Sequence, residues 1–368
     1  MQNKNLIFTI LLFLGFISVS AHAQGFYTKK PEKKETVKPA AAKPASETGL
    51  KPYKEIITKD AKTSVGFLTA HEVKRKYYFE IPDSLLNRDI LIVNRISKAP
   101  ANRYKSTVGY PGDQIGENVI QFEKGRDNKI FIRNMSYIEY SQDTLGMYQS
   151  VRNSNIQPIV ATFDIKTVKK DSVSKSQNSV IELTDFLNAD NDILFFDSRM
   201  KRNRGVGGFQ KDKSFVDTIK AFPLNIEIVT VKTYTQSAPK GLSPMAAEYY
   251  PTGPMTYELN SSMVLLPEKP MKPRFYDPRV GYFAVRYTDF DANPQGIEQR
   301  AMITRWRLEP KDEDMEKYKR GELVEPKKPI VFYIDPATPR RWVPYLMAGV
   351  NDWQKAFEKA GTFDDSFY

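Results

Sequence analysis

Residues 71–75 read HEVKR, one substitution short of the H-E-x-x-H motif, in which two histidines on one helical face bind zinc beside a catalytic glutamate. Arg75 stands where the second histidine is required, and its permanent positive charge prevents it from ligating zinc. Apolar residues alternate through SVGFLTAHEVKRKYYFEIP (64–82), which is the period of one strand. We therefore predict that His71 is a strand residue and that Glu72 points to the opposite face.

A second stretch with metal-binding residue types is TDFDANPQG (288–296). Asp289, Asp291 and Asn293 occupy alternate positions there, as oxygen ligands do in calcium loops. Pro294 stands where an EF-hand loop requires glycine, and no glutamate occupies the twelfth position. We predict a polar turn between two strands, with calcium binding as the alternative.

The stretch KRNRGVGGFQK (201–211) combines cations with three glycines. Glycines let a ligand approach the backbone closely, and the cations would attract a phosphate or a carboxylate. A nucleotide site also requires a switch from strand to helix, which the following residues do not indicate. We predict a flexible surface loop, with anion binding as the alternative.

Other residues with binding or catalytic potential are less specific. Acidic residues are plentiful, but nothing in the sequence selects a pair for glycoside cleavage. Five aromatic residues could form the floor of a sugar or peptide groove: Tyr249, Tyr250, Phe275, Tyr276 and Tyr282. Packing within a half-exposed sheet is the more usual role of such residues, so both interpretations stay open.

The scarcity of metal-binding and nucleophilic side chains excludes several classes of enzyme. The chain has no cysteine and two histidines, and His22 lies in a predicted signal peptide. Disulfides, thiolate zinc sites, iron–sulfur clusters and a cysteine nucleophile are therefore excluded. His71 alone cannot form a histidine-rich zinc site, and no G-x-S-x-G motif supplies a triad serine. We expect no catalytic, cofactor-binding or metal-binding residue in this chain.

The N-terminus has the three parts of a secretory signal peptide. These are Lys4, an apolar run from Leu6 to Val19, and the small residues Ala21 and Ala23 at a cleavage site. The run is shorter than the roughly 20 residues of a membrane span, and no later segment approaches that length. We predict that residues 1–23 are removed, that the mature chain has no membrane span, and that it is periplasmic, outer-membrane-associated or secreted.

Residues 24–52 are predicted to form a disordered linker, because they are rich in Lys, Pro and Ala and poor in large apolar residues. From Lys29 to Lys54, eight lysines and three glutamates supply much of the chain's net charge of +11. We interpret the linker as a solvated spacer, with contact to anionic lipid or polysaccharide as the alternative. The folded part is only weakly basic, so no nucleic-acid partner is expected.

Strand patterns recur through the body of the chain, separated by short turns. The predicted strands are DILIVNRIS (89–97), NVIQFEK (118–124), KIFIRN (129–134), QPIVATFDIKTV (157–168), NIEIVTVKTYT (225–235), TYELNSSMVLLP (256–267), VGYFAVRYTDF (280–290) and AMITRWRLEP (301–310). The second and third form a hairpin. Short helices are predicted at Leu183–Asn188 and Asp312–Arg320. This pattern favours a mainly β fold with antiparallel sheets.

From Pro329 the pattern changes to that of an α/β domain. PIVFYID (329–335) is predicted to be a strand and Trp342–Ala360 a helix that ends at Gly361. The apolar residues of this helix form one stripe: Leu346, Val350, Trp353 and Phe357. A strand and one helix cannot form a core alone, so we expect this region to be incomplete or to dock onto the β region.

Several stretches together resemble one family. They are VKRKYYFEIPDSLLNRDILIVNRIS, SFVDTIKAFPLNIEIV, FYDPRVGYF, TRWRLEPK and PKKPIVFYIDPATPRRWVPYLMAGVNDWQKAFEKAG. They are similar to large secreted zinc-dependent metalloproteases of Gram-negative bacteria, in which two N-terminal domains of uncharacterised role precede a metzincin-like catalytic domain. The resemblance runs from about Tyr53 to Gly361.

The resemblance implies a small N-terminal β domain at 53–100, a β-rich domain at 101–326 and the start of the catalytic domain at 327–368. The family's H-E-x-x-H-x-x-G-x-x-H signature comes after the segment seen here, so no metal ligand or general base maps onto this chain. The closing TFDDSFY departs from the family, which favours a truncated or frame-shifted product.

In a full-length relative, the resemblance implies that zinc held by three ligands activates a water molecule to cleave a protein or peptide substrate. Zinc is expected in that longer protein and not in this chain, which we expect to be inactive alone. The competing hypothesis is a non-catalytic periplasmic or surface module that binds glycan or protein through its β scaffold and aromatic residues.

Overall fold

The computed structural model describes the chain from residue 50 to residue 361 with four internal gaps. The described ranges are 50–101, 109–170, 176–238, 241–248 and 252–361. The predicted signal peptide and most of the predicted linker lie outside these ranges, as do Tyr249, Tyr250 and the closing TFDDSFY.

The described residues form fifteen strands and eight short α-helices. The strands are β1 (Lys62–Val65), β2 (Thr69–Val73), β3 (Lys76–Pro82), β4 (Ile90–Lys98), β5 (Gln114–Lys124), β6 (Lys129–Met135), β7 (Glu139–Tyr140), β8 (Ile159–Lys170), β9 (Gln177–Glu182), β10 (Val206–Phe209), β11 (Phe215–Ala221), β12 (Asn225–Gln236), β13 (Gly253–Leu265), β14 (Ala284–Asn293) and β15 (Gly296–Ile303). The helices are α1 (Tyr53–Ile56), α2 (Tyr148–Ser154), α3 (Thr184–Asn188), α4 (Ser198–Asn203), α5 (Pro244–Glu248), α6 (Met315–Lys319), α7 (Val343–Asn351) and α8 (Gln354–Gly361).

Twelve of these strands form one sheet in the order β1-β2-β3-β9-β8-β6-β5-β4-β13-β12-β10, with β11 also paired to β12. The pairs in this sheet are antiparallel, so the predicted mainly β, antiparallel fold is confirmed. Strand β4 pairs with both β5 and β13, so strands from either side of residue 100 share one sheet. The predicted division into domains at 100 and 326 stays a prediction.

The two ends of the large sheet meet where β11 lies beside β1. The main-chain N–H of Ala221 donates to the Ser64 hydroxyl at 2.8 Å, and the N–H of Phe67 donates to the Phe222 carbonyl oxygen at 3.0 Å. Gly66 permits this approach, because a Cβ atom there would lie 2.3 Å from the same oxygen. The sheet therefore curls around an enclosed face.

Side chains on the enclosed face form a packed hydrophobic core. Ile90 and Ile92 of β4 and Ile226 and Ile228 of β12 have no exposed surface, because alternate residues of a strand face the same side. Residues 193–196, which follow α3, also fill the core and are at most 5% exposed. A cavity of about 10 Å³ among these side chains has room for no more than one water molecule.

The single strand predicted across 64–82 is wrong, because two hairpin turns interrupt it, one between β1 and β2 and one between β2 and β3. Lys74 and Arg75 have φ angles of 49° and 63° and form the two-residue turn between β2 and β3. Because of this turn, odd-numbered residues of β2 lie opposite even-numbered residues of β3. His71 therefore pairs directly with Tyr78. The sequence hides this turn because Lys and Arg are not the residues that usually adopt positive φ.

Most of the other predicted strands are confirmed, some with different limits. Strands β4, β6, β8, β12 and β13 have nearly the predicted limits, and β5 begins at Gln114, before the predicted Asn118. The β5–β6 hairpin and the helices near residues 183–188 and 312–320 are confirmed. The last two strands pair from Ala284↔Ile303 to Asn293↔Gly296, so β14 begins later and β15 earlier than predicted. The turn after Asn293 sets the end of β14 and the start of β15, and β15 ends at Ile303 rather than at the predicted Pro310.

The C-terminal region differs from its prediction in two ways. The strand predicted at 329–335 is wrong, since no ladder hydrogen bond joins these residues to another described segment. The helix predicted at Trp342–Ala360 is interrupted between α7 and α8. There the N–H of Trp353 donates to the Val350 carbonyl, three residues back, at 3.2 Å, which makes one tight turn.

Candidate functional site

His71 lies in a buried polar cluster on the outer face of β2 and β3, which α1 covers. Its side chain is 5% exposed, and its Nδ1 atom lies 2.8 Å from the Thr63 hydroxyl oxygen. Its Nε2 atom lies 3.3 Å from a carboxylate oxygen of Glu80, which is 2% exposed. The prediction that His71 is a strand residue is confirmed. Because both ring nitrogens have partners, His71 does not fit the role of a zinc ligand.

Glu80 is the centre of this cluster and accepts hydrogen bonds from four directions. Besides His71, the donors are the Tyr53 hydroxyl at 2.7 Å, the Lys169 ammonium at 3.1 Å and the Asn178 amide at 2.6 Å. Burial by itself raises the pKa of Glu80, but these hydrogen bonds lower it to about 2. The cluster therefore ties α1, β2, β3, β8 and β9 together and presents no cavity for a substrate.

Lys232 is a second buried ionisable group, and it lies on the enclosed face of β12 with no exposed surface. Its ammonium donates to the carbonyl oxygens of Leu187 at 2.6 Å and Ala189 at 2.9 Å. It also lies 4.1 Å from the centre of the Phe195 ring. Burial lowers the pKa of Lys232 to about 8, and the charge of Asp190 opposes part of that change.

The side chains around Lys232 hold the segment that follows α3 against the enclosed face of the sheet. The Asn94 amide donates to the Ile193 carbonyl at 2.8 Å, and the Tyr234 hydroxyl donates to the Asp190 carboxylate at 2.9 Å. These groups satisfy the irregular backbone inside the core. Sequence reasoning missed Lys232, although the alternation in β12 places it in line with Ile226, Ile228 and Tyr234.

The predicted turn at TDFDANPQG is confirmed between β14 and β15. Asp291 accepts the Ser141 hydroxyl at 2.7 Å and the main-chain N–H groups of Gln142 and Asp143 at 2.5 and 3.0 Å. Asp289 is 5% exposed and lies 3.5 Å from the Arg300 guanidinium. The Asp291 carboxylate fixes the neighbouring 141–143 segment, and calcium binding stays an untested alternative.

The flexible loop predicted at 201–211 is wrong, because these residues form the end of α4, strand β10 and a short 3₁₀ helix. Gly205 has a φ of 58° between α4 and β10. Arg204 forms an ion pair with Asp113 at 2.6 Å and is mostly buried. Pairing of β10 with β12 orders the glycine-rich stretch, a long-range contact that local composition does not reveal.

Of the five predicted aromatic residues, the structure describes Phe275, Tyr276 and Tyr282. Phe275 is 56% exposed and its ring lies under the Arg300 guanidinium, 5.0 Å away. Tyr282 is 47% exposed, and its neighbour Phe283 is 88% exposed. An exposed aromatic edge therefore exists beside β14, while Tyr249 and Tyr250 lie outside the described residues.

An open groove of about 880 Å³ lies along α7 and α8. Its walls come from residues 306–308, 323–326, 329–332 and 349–358. The rings of Trp306 and Phe332 meet edge to face, with centroids 6.3 Å apart. Of the predicted apolar stripe, Val350, Trp353 and Phe357 line this groove and Leu346 does not. Trp353 is 66% exposed and Phe357 40% exposed. We call this groove, together with the residues that line it, the C-terminal groove.

The C-terminal groove is suited to binding rather than to catalysis. Its lining is mostly apolar, and the carboxylates within it are those of Glu325 and Glu358. Glu325 is paired with Lys311 at 2.9 Å, and Glu358 accepts the Gln354 amide at 2.8 Å. An open apolar groove of this kind marks a surface that another polypeptide can cover.

Within the described ranges, no group of three or more His, Asp or Glu side chains is arranged to hold a metal ion. The same ranges contain no helix that is both long enough and apolar enough to span a membrane. Neither observation bears on residues outside those ranges.

The geometry thus defines a β-rich protein with a packed, curled sheet and an open apolar groove near its C-terminal end. Residues 112–311 match the family model described as domain of unknown function DUF5117, and residues 50–99 match the one described as domain of unknown function DUF5118. Because the first match covers more than half of the 368 residues, the chain belongs to the DUF5117 family. No curated protein and no solved structure matches the chain.

Proposed function

We propose that this chain is the non-catalytic N-terminal part of an exported zinc-dependent metalloprotease. The sequence resemblance of residues 53–361 suggests the family, and the C-terminal groove is the observation that carries the proposal. A strand-like segment and two helices that expose Phe332, Trp353 and Phe357 have the composition of a domain core, and no layer of the described residues closes it.

In this proposal the curled β sheet is a rigid support for a catalytic part that docks on the C-terminal groove. The two buried ionisable centres, Glu80 and Lys232, have hydrogen-bond partners within the protein, and the proposal assigns no chemical step to either of them. Zinc would be held by residues of the catalytic part, because the side chains around His71 do not fit it. The substrate would be a protein or peptide bound by that part.

Metal content and peptidase activity test the non-catalytic assignment. The purified chain is expected to hold far less than one zinc per molecule after dialysis and to leave casein intact, with a known zinc peptidase as positive control. If casein-cleaving activity copurifies with the chain and a chelator abolishes it, the assignment is refuted.

The peptidase origin has a separate test, which is the nucleotide sequence beyond codon 368. A downstream H-E-x-x-H in any reading frame supports the origin, and a stop codon followed by an unrelated gene contradicts it. Limited proteolysis offers a further check on the supporting role. If proteolysis gives two separately folded fragments that dissociate from each other, the β sheet does not act as a support for residues 329–361.

A binding module for glycan or protein is the second candidate, and the exposed aromatic edge at Tyr282 and Phe283 favours it. Aromatic side chains that project from a sheet can stack on sugar rings or pack on apolar peptide side chains. Isothermal titration calorimetry with oligosaccharides would reveal glycan binding. A Phe283→Ala variant that keeps its fold by circular dichroism should bind at least tenfold more weakly if this candidate is correct, and equal binding by the variant and the parent chain would contradict it.

A further inference from the structure

Residues 330–334 combine strand-forming side chains with an exposed position. The sequence IVFYI consists of β-branched and aromatic residues, which are the residues that strands favour. Val331 is 57% exposed, Phe332 60% and Tyr333 93%. Among the described residues, no main-chain hydrogen bond joins this segment to another.

The segment already has the alternation of a strand. Ile330 and Phe332 line the C-terminal groove, whereas Val331 and Tyr333 do not. One side of the segment therefore faces α7 and α8, and the other side faces solvent. Main-chain groups of such a segment are a template for pairing with another strand.

We propose that, in the isolated chain, two copies associate by antiparallel pairing of residues 330–334 about a two-fold axis at Phe332. This register pairs the whole apolar run with itself: Ile330 with Ile334, Val331 with Tyr333 and Phe332 with Phe332. A β-branched residue opposite an aromatic residue is a favourable cross-strand pair. The same surface on both copies is used, as in a closed two-fold dimer.

The flanking charges fit the same register. Lys327 of one copy lies diagonally opposite Asp335 of the other, so opposite charges approach at both ends of the paired strands. Asp335 is exposed, and Lys327 is exposed although its ammonium contacts Asp312 at 2.6 Å. Registers shifted along the strand would place a lysine or a proline opposite part of the apolar run.

This pairing would place the two C-terminal grooves side by side on one face of a two-stranded ribbon. The aromatic residues of each groove, Trp353 and Phe357, would then lie beside the ribbon face that carries Ile330 and Phe332. Apolar surface that is open in one copy would be removed from water, which supplies the driving force. The proposal concerns the chain alone and does not rest on its origin in a peptidase.

Sedimentation velocity over a wide range of concentrations, combined with hydrogen exchange of residues 330–334, tests the pairing. We expect a reversible dimer whose formation slows the exchange of these amides. Tyr333→Lys should weaken the dimer at least tenfold, because a lysine on a strand edge opposes pairing. Tyr345→Lys is the matched control, because Tyr345 is also exposed, at 71%, but lies outside the paired segment.

Circular dichroism should show that both variants keep the fold, since both replaced side chains are exposed. A chain that stays monomeric at all concentrations would overturn the proposal and leave the groove to a different polypeptide. A dimer that Tyr333→Lys and Tyr345→Lys weaken equally would overturn it as well. The zinc and casein measurements decide the proposed function separately, since neither depends on dimer formation.

Discussion

Two regions of this chain have similar apolar sequences but opposite degrees of burial. In the curled sheet, Phe79 and Phe122 are at most 1% exposed, whereas Phe332 and Phe357 of the C-terminal region are 60% and 40% exposed. The interior strands of the sheet pair with a strand on either side, and their apolar faces are covered by the core. Residues 329–335 have an equally apolar pattern and no strand beside them among the described residues.

The comparison shows that an apolar sequence with strand-forming residues becomes a strand only where another strand pairs with it. Long-range pairing orders even the glycine-rich β10, which looks like a loop in isolation. The most apolar segment near the C-terminus stays unpaired. We expect equivalent substitutions to change the stability strongly in the sheet and weakly in the C-terminal region.

The largest expected difference is between two phenylalanine truncations. Phe122→Ala should lower the free energy of unfolding by about 3–5 kcal/mol, because it leaves a cavity in a packed core. Phe332→Ala should change it by less than about 1 kcal/mol, because the side chain is mostly exposed. Urea unfolding at low protein concentration measures both values. Equal losses in the two variants would contradict the division into two regions.

Acid should destabilise the sheet through Glu80. The folded pKa of Glu80 is about 2 and its ordinary value is 4.5, so the carboxylate stabilises the fold above pH 4.5. That contribution, about 3 kcal/mol at most, is lost as the pH falls from about 4.5 to 2. Glu80→Gln should unfold more easily at neutral pH and lose this part of the pH dependence.

Glu358 provides the control for Glu80 in the exposed region. Its carboxylate accepts one hydrogen bond from Gln354 at the surface, so Glu358→Gln should leave the stability and its acid dependence nearly unchanged. Urea midpoints at a series of pH values compare the two variants. Identical pH profiles for Glu80→Gln and the parent chain would show that the buried cluster is not the acid-sensitive element.

Lys232 should make the stability rise further with pH in the alkaline range. Its folded pKa is about 8 and its ordinary value is 10.5, so the unfolded chain binds more protons between these values. Stability should therefore rise by about 2 kcal/mol as the pH increases from 8 to 10, until tyrosine ionisation in the unfolded chain opposes it. Lys232→Met should remove this rise, and Lys355→Met, on the exposed side of α8, should keep it.

The smallest expected effect is stabilising and concerns the turn of the β2–β3 hairpin. Lys74 and Arg75 adopt positive φ angles that Asn and Gly accept more readily. Lys74→Asn combined with Arg75→Gly should raise the free energy of unfolding by about 1 kcal/mol. A thermal unfolding midpoint at or below that of the parent chain would show that the two cations have a stabilising role of their own.

The sequence predicted the strand-rich, antiparallel body because its strands alternate clearly, as β4 and β12 do. It could not predict the partners of Glu80, since Lys169 and Asn178 are 89 and 98 residues away along the chain. It also missed the turn at Lys74 and Arg75, whose residue types give no turn signal. The apolar stripe of Val350 and Trp353 was evident, but whether another segment covers it depends on tertiary contacts.

Hydrogen exchange of the dilute chain, read by mass spectrometry, tests the contrast between the two regions most directly. The account predicts slow exchange in β12 and β13, limited by unfolding of the whole sheet, and rapid exchange at residues 330–334 once dilution separates the copies. Protection of residues 330–334 that equals that of β13 at every dilution would contradict it. Such a result would mean that the chain itself pairs this segment and that the C-terminal groove is closed.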